Sequence, residues 1–187
     1  LHRLSHQIRW MWASHSVHHS PHAITFSGAY RLGVTSLFSG LFLFFTPLYV
    51  LGFEPKAVAS MFSISLIYQF WLHSELIPKL GWFEWFFNTP SHHRVHHAID
   101  EHYIDKNYGG VLIIFDRMFG TFVEERTGEK IHYGLLGKPQ SFKFLTILFQ
   151  EWQAIFRDMK RVKGIRNLFL VTFGRPGTQV QSGKESD

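Results

Sequence analysis

Histidines recur in this sequence at helical intervals. In "SHHRVHH", residues 91–97, His93, His96 and His97 stand at i, i+3 and i+4 and share one face of a helix. His92 and His96 form a second i, i+4 pair. "HSVHH" repeats the pattern with His15, His18 and His19, and "HRLSH" places His2 and His6 four apart. Imidazole fills an apolar core poorly, whereas neutral imidazole is the commonest metal ligand near pH 7. Three helical faces rich in ring nitrogens therefore predict a fold that brings them together around metal. The clusters supply His2, His6, His15, His18, His19, His93, His96 and His97, and His73 joins them at the end of an apolar stretch. Zinc sites close at four ligands, so this many predicts two ions. An all-nitrogen set suits iron, zinc, copper or nickel. Carboxylate-type di-iron bundles use paired Glu-x-x-His motifs. Glu129 with His132 is a single match, which excludes that type.

Outside the spacing pattern, His22, His102 and His132 are read as surface or hydrogen-bonded residues. Asn88 and Asn107 flank the third cluster and are candidates to orient ligands, with a loop-structural role as the alternative. Asp116 is expected in an ion pair with a nearby Arg.

The length of 187 residues suits one domain, and the absence of cysteine removes disulfides, zinc ribbons, iron–sulfur clusters and thiol nucleophiles. Charged residues make up 18%, below the roughly 25% of soluble domains. The formal charge is +5. The basic residues are not interleaved with stacking aromatics, so a membrane surface is the expected partner and nucleic acid is not.

Leu32 to Phe53 carries no charge over 22 residues, enough for a transmembrane helix of about 20. Pro47 is expected to kink it. Glu54 to Lys56 reads as a turn. Ala57 to Leu72 is uncharged again and is expected to continue as helix through His73 toward Pro78. The alternative is a buried helical hairpin in a soluble protein. A hairpin returns to the side it left, so every histidine cluster lies on one side of the membrane. Only Lys56 falls at the far turn, whereas Arg3, Arg9, Arg31, Lys79 and Arg94 lie near the other end. That asymmetry makes the histidine side cytoplasmic. The chain opens at Leu1, with His2 already inside a motif, and is read as a fragment lacking upstream helices.

"GWFEWFFNTP", residues 81–90, reads as an interfacial aromatic belt or, equally, an aromatic core. Leu145, Leu148, Phe149, Trp152, Ile155, Phe156, Met159 and Val162 follow helical spacing opposite a basic face. They predict an amphipathic helix lying on the membrane or packed on the metal domain. The tail is expected to be disordered.

"HRLSH", "HSVHH" and "HHRVHH", separated by a hydrophobic hairpin, resemble the three histidine boxes of the fatty acid hydroxylase/sterol desaturase superfamily. "WASHSVHHSP", "YQFWLHSELIPKLG", "NTPSHHRVHH" and "DKNYGGVLIIFDRMFGTF" are similar to one branch, the bacterial sterol-desaturase-family proteins and the animal alkylglycerol monooxygenases. Gln7 stands where the alkylglycerol enzymes carry an acidic residue. The resemblance implies a non-haem di-iron oxidoreductase of the membrane. Such an enzyme uses O₂ and two electrons from an external donor to hydroxylate or desaturate an unactivated C–H bond of a sterol, fatty acyl or alkyl lipid. It implies as ligands the nine histidines named above, with His92 a weaker tenth. It also implies a membrane lipid substrate, an electron-transfer partner and, by analogy with the bacterial proteins, an inner-membrane location. The rival is a membrane metal-binding or transport protein using the same histidines. A transporter would place ionisable residues within its spans, and these spans have none before His73.

The expected fold is an all-α integral membrane protein. A transmembrane helical hairpin at about 32–76 carries a cytoplasmic helical histidine-box metal domain, in one domain over 1–177 with a tail at 178–187.

Overall fold

The computed structural model describes residues 1–31 and 34–178. Leu32 and Gly33, where the expected hairpin begins, and residues 179–187 of the expected tail lie outside the described residues. Thr178 itself is held in a turn, its N–H donating to Arg175 O at 3.1 Å.

The described residues are helical, with no β-strand among them. Two isolated antiparallel bridges occur, Phe87 with Leu112 and Ala98 with Tyr133. The chain opens with α1 (His2–Gln7) and α2 (Arg9–His19). Extended backbone at Ile8 separates them (φ −107, ψ 115) and lets the two helices turn against each other. A short α3 (Phe26–Ala29) follows. Late in the chain come α8 (Phe144–Met159) and α9 (Ile165–Phe173). Trp152 and Ile155 of α8 bury against Ala13 of α2, with Trp10 and Met159 closing the cluster. The amphipathic helix thus spends its most buried stripe, Leu148, Glu151, Trp152 and Ile155, on packing within the protein.

The apolar middle differs from expectation. Residues 34–53 do not form one kinked helix. Two 3₁₀ segments, Val34–Ser39 and Leu41–Phe45, lead into α4 (Thr46–Val50). Gly40, at φ +81, sits between the 3₁₀ segments in the left-handed region and breaks the helical ladder. Pro47 lies in the first turn of α4, where its missing N–H costs nothing. The turn falls at residues 51–54, and Pro55 opens α5 (Pro55–Phe70). That helix stops before His73. Its 16 residues span about 24 Å at 1.5 Å each, short of the roughly 30 Å hydrocarbon core. No helix among the described residues is long and apolar enough to cross a membrane.

Even so, α5 is apolar on every face, and Val58 is its single buried residue. A helix of this kind is ordinarily enclosed by protein or lipid. Beyond it, the 3₁₀ segment Gly81–Trp85 leads to α6 (Pro90–His97), all eight residues of which are buried. A loop then reaches α7 (Ile114–Met118). Val95, Ala98 and Tyr103 form the core behind α6, with Val123 and Ile131 packed on it.

Candidate metal centre

The boxes meet, and the second and third divide. One set of nitrogens comes from His2 and His6 of α1, His15 and His19 of α2, and His96 of α6. A second comes from His18, His73, His93 and His97. Within each set the candidate ligand atoms, one per ring, lie within 4.8 Å of one another. The sets abut: His19 of the first stacks on His97 of the second with ring centroids 4.2 Å apart. Shared helical faces, read from spacing alone, did not show that one box serves two places. His92 joins neither set. It is fully buried, with Nε2 3.8 Å from Glu84 Oε2 and its ring edge-on to Phe122.

Hydrogen bonding among the rings does not account for their convergence. His93 Nε2 lies 3.0 Å from both His73 Nε2 and His97 Nε2, and His73 Nε2 lies 3.2 Å from His18 Nε2. A neutral imidazole nitrogen carries either a proton or a lone pair, so it makes one such bond and not two. In the first set His2 Nε2 and His15 Nε2 are 3.0 Å apart. Nε2 of His6, His19 and His96 is buried without a hydrogen-bond partner among the described residues. Two nitrogens bound at right angles to one ion, each about 2.1 Å from it, stand about 3.0 Å apart. The spacing fits a cation in each set, and the orphaned nitrogens fit one in the first.

The far sides of several rings are tied down. His2 Nδ1 faces Tyr108 O at 2.8 Å, His96 Nδ1 faces Lys106 O at 2.9 Å, and His73 Nδ1 faces Gln69 O at 3.1 Å. A carbonyl only accepts, so each Nδ1 carries the proton and each Nε2 presents its lone pair to the cluster. His6 Nδ1 lies 3.5 Å from Asp105 Oδ1. Burial, reinforced by neighbouring rings, pushes His15, His18, His19, His93, His96 and His97 well below the usual histidine value, and His2 down to about 3. These rings stay neutral at pH 7, as ligation requires.

The brace is a loop that spacing did not single out. Asp105 and Asn107 adopt positive φ, +60 and +52, bending residues 105–108 so that the carbonyls of Lys106 and Tyr108 face the rings. Asp116 pairs with no Arg among the described residues. Its carboxylate instead accepts from Tyr108 N at 2.8 Å, Gly109 N at 2.7 Å and the Thr121 hydroxyl at 2.6 Å. Asn107 donates to His92 O and Val123 O and accepts from Val123 N, and Asn88 donates to Gly109 O. Both asparagines hold backbone, and among the described residues neither hydrogen-bonds a ring of either set. Signals for this loop were present in the turn-forming residues of "DKNYGG".

Arg94, inside the third box, does more than contribute topogenic charge. Its guanidinium grips Glu125 at 2.7 and 2.6 Å and donates to Ser74 O and Ile77 O at 2.8 and 3.0 Å. It thereby fixes the turn carrying His73 against the helix carrying His93 and His97. His102 and His132 pair with Glu129 and Asp100 at 2.9 and 2.8 Å, and His22 packs against Gly134, all outside the sets.

Two cavities each reach several of the histidines. One of about 660 Å³ meets His2, His15, His18, His73 and His93, and its walls include Phe62, Leu66, Ile67 and Phe70 of α5. The other, about 510 Å³, meets His6, His19, His96 and His97 beside Arg9, Asp105, Lys138 and Glu151.

Comparison with known proteins places the sequence that carries the boxes in a family. The sequence model described as fatty acid hydroxylase matches residues 1–121, which include all three boxes. The chain belongs to the fatty acid hydroxylase family. Alkylglycerol monooxygenase of Danio rerio is 42% identical over 94% of this chain and 39% of its own length. The Homo sapiens alkylglycerol monooxygenase is 41% identical over the same shares. A more distant relative, ornithine lipid hydroxylase of Rhizobium tropici, is 27% identical over 73% of this chain and 41% of its own. The chain thus spans about two fifths of the length of these relatives. No solved structure matches it.

Proposed function

We propose that this chain is the metal-holding part of a membrane-bound di-iron lipid monooxygenase. Convergence of nine imidazoles into two neutral nitrogen sets beside an apolar cavity carries the reading. Family membership and the lipid-acting names of the relatives support it and favour an alkyl lipid among the candidate substrates. His2, His6, His15, His19 and His96 would hold one ion, and His18, His73, His93 and His97 the other. Iron, when bound, supplies the redox chemistry by which O₂ and two electrons from an external donor oxidise a C–H bond.

The residues of the chain prepare that chemistry. The carbonyls of Gln69, Lys106 and Tyr108 fix ring tautomers so that lone pairs converge. Burial keeps the rings unprotonated and excludes bulk water. Apolar side chains of α5 give a lipid tail a dry path to His73 and His93. We place the region around residues 32–76 in the bilayer. Its exposed Leu37, Phe38, Leu43, Met61, Ile64 and Ile67 support this, as does the distribution of Lys and Arg that puts the histidine side in the cytoplasm.

The test is metal-loaded protein reconstituted with an alkyl lipid, ¹⁸O₂ and a chemical reductant. Two irons per chain and ¹⁸O in the lipid product are expected. A single tetrahedral zinc, with no isotope incorporation after iron loading, would overturn the reading in favour of a metal-binding protein without oxygenase activity.

A further inference from the structure

A second apolar surface borders a groove whose lining also includes His2. Trp82, Trp85 and Phe86 are 75, 63 and 55% exposed, and Phe115 and Met118 of α7, with Phe119 just after it, are 50, 72 and 67% exposed. These belong to one body. Ile113 N donates to Phe86 O at 2.9 Å, Phe87 bridges to Leu112, and the Arg117 guanidinium lies over the Trp85 ring at 5.0 Å. Acidic side chains within the same segments are turned inward: Glu84 and Asp116 are 7 and 4% exposed. Soluble proteins seldom expose so many large apolar side chains together.

The position of this surface along α5 decides its partner. Phe115 and Phe119 share a groove with Ser65. A Cβ added at Gly110 would meet the Gln69 amide at 3.1 Å, and the Tyr68 hydroxyl donates to Asn88 O at 2.8 Å. Ser65 to Gln69 lie within about 8 Å of the C-terminal end of α5, at 1.5 Å per residue. We propose that residues 82–86 and α7 form an in-plane element that dips into the headgroup–acyl boundary of the bilayer, beside the end of α5 that leads to His73. This rests on the membrane placement of α5 proposed above. Side chains pinned at that level of a lipid-embedded helix share its depth, and tryptophan favours that boundary. Charge agrees: Arg117 is sandwiched by Trp85 and Phe122, and Lys79 is paired with Glu124 at 2.7 Å. No bare carboxylate of these segments meets the lipid.

The chain has no cysteine, so single-cysteine probes are unambiguous. Met118→Cys and Trp82→Cys, each carrying an environment-sensitive fluorophore, are reconstituted into phosphatidylcholine–phosphatidylglycerol vesicles bearing spin labels along the acyl chain. Met61→Cys in α5 reports the membrane placement itself, and Glu101→Cys, exposed beyond the third box, is the aqueous reference. Quenching at 118 and 82 by shallow labels, at 61 by deep labels, and at neither depth for 101 is expected. A probe at 118 as unquenched as at 101 while 61 is quenched would overturn the element and leave the membrane placement of α5 standing. Shielding of 118 from both lipid labels and aqueous iodide would overturn it in favour of a protein partner, such as a second copy. Quenching at neither 61 nor 118 would remove both readings.

Discussion

The two histidine sets lie side by side, yet they are held by different parts of the molecule. The five-nitrogen set leans on the loop at 105–108, through Asp105, Lys106 O and Tyr108 O. The four-nitrogen set hangs on the turn after α5, through Gln69 O and the Arg94 clamp on Ser74 and Ile77. One set is therefore tuned by a folded loop, and the other by how the apolar arm docks on α6. Ligands of like chemistry thus have separate supports, and the supports can be cut one at a time.

The largest effect should follow loss of one ring from each set. His96→Ala and His97→Ala should each lower metal content from about two to about one ion per chain, with activity falling more than about 100-fold. Metal analysis reads the first and product formation the second. Loss of both ions from either variant would show that the two sets act as one site.

Acidification should undo both sets together. Burial holds the folded pKa of His15, His18, His19, His93, His96 and His97 well below the ordinary value of 6.5. The unfolded chain takes up these protons as pH falls through that value, and the folded chain does not. Metal-free protein should therefore be most stable above about pH 7 and lose about 1.4 kcal/mol per pH unit for each such ring as pH drops from about 6.5. Denaturant midpoints at pH 7.5 and 5.5 measure this. Equal midpoints would mean that the rings are already open to protons in the folded state.

The supports separate the sets. Arg94→Ala leaves Glu125 without its bidentate partner, a loss of about 3 kcal/mol for a buried pair, and should loosen metal in the four-nitrogen set. Asp105→Ala should weaken the five-nitrogen set about 10- to 100-fold, as loss of a ligand's orienting partner typically does. Metal titration of the two variants should show opposite sites weakened. Identical titrations would merge the two supports into one.

His132→Ala should do least. Its ring pairs with Asp100 outside both sets and is exposed, so iron content and activity should stay close to those of the parent. A loss comparable to that of His96→Ala, in protein still folded, would mean that box membership does not define the site.

Much of this centre was legible before any coordinates. The i, i+3, i+4 spacing marks eight of the nine histidines of the two sets, because neighbouring turns of a helix must present their side chains together, and His73 is marked by its place at the end of an apolar stretch. The spacing also set aside His22, His102 and His132. The apolar run at 32–53 was less legible. Its lack of charge was plain, but Gly40 at positive φ and Pro47 opening a new helix divide it into short pieces, a local backbone choice that hydropathy does not register. The same holds for α8, whose amphipathic pattern fits a membrane or a protein surface equally well until α2 is seen against it.

Sequence by itself determined which side chains could bind metal, that they would be neutral nitrogen donors without thiolate, and which rings share a helical face. Tertiary structure alone decided how they divide. His96 turns to α1 and α2 while His93 and His97 turn to His18 and His73, and His92, one residue before His93, faces Glu84 instead. Ligand nitrogens must approach an ion to about 2 Å, whereas the Cβ atoms of residues one turn apart on a helix stand about 5–6 Å apart. A face wide enough to carry three rings is wider than one ion can gather, so the segments packed opposite it determine which ring belongs to which set.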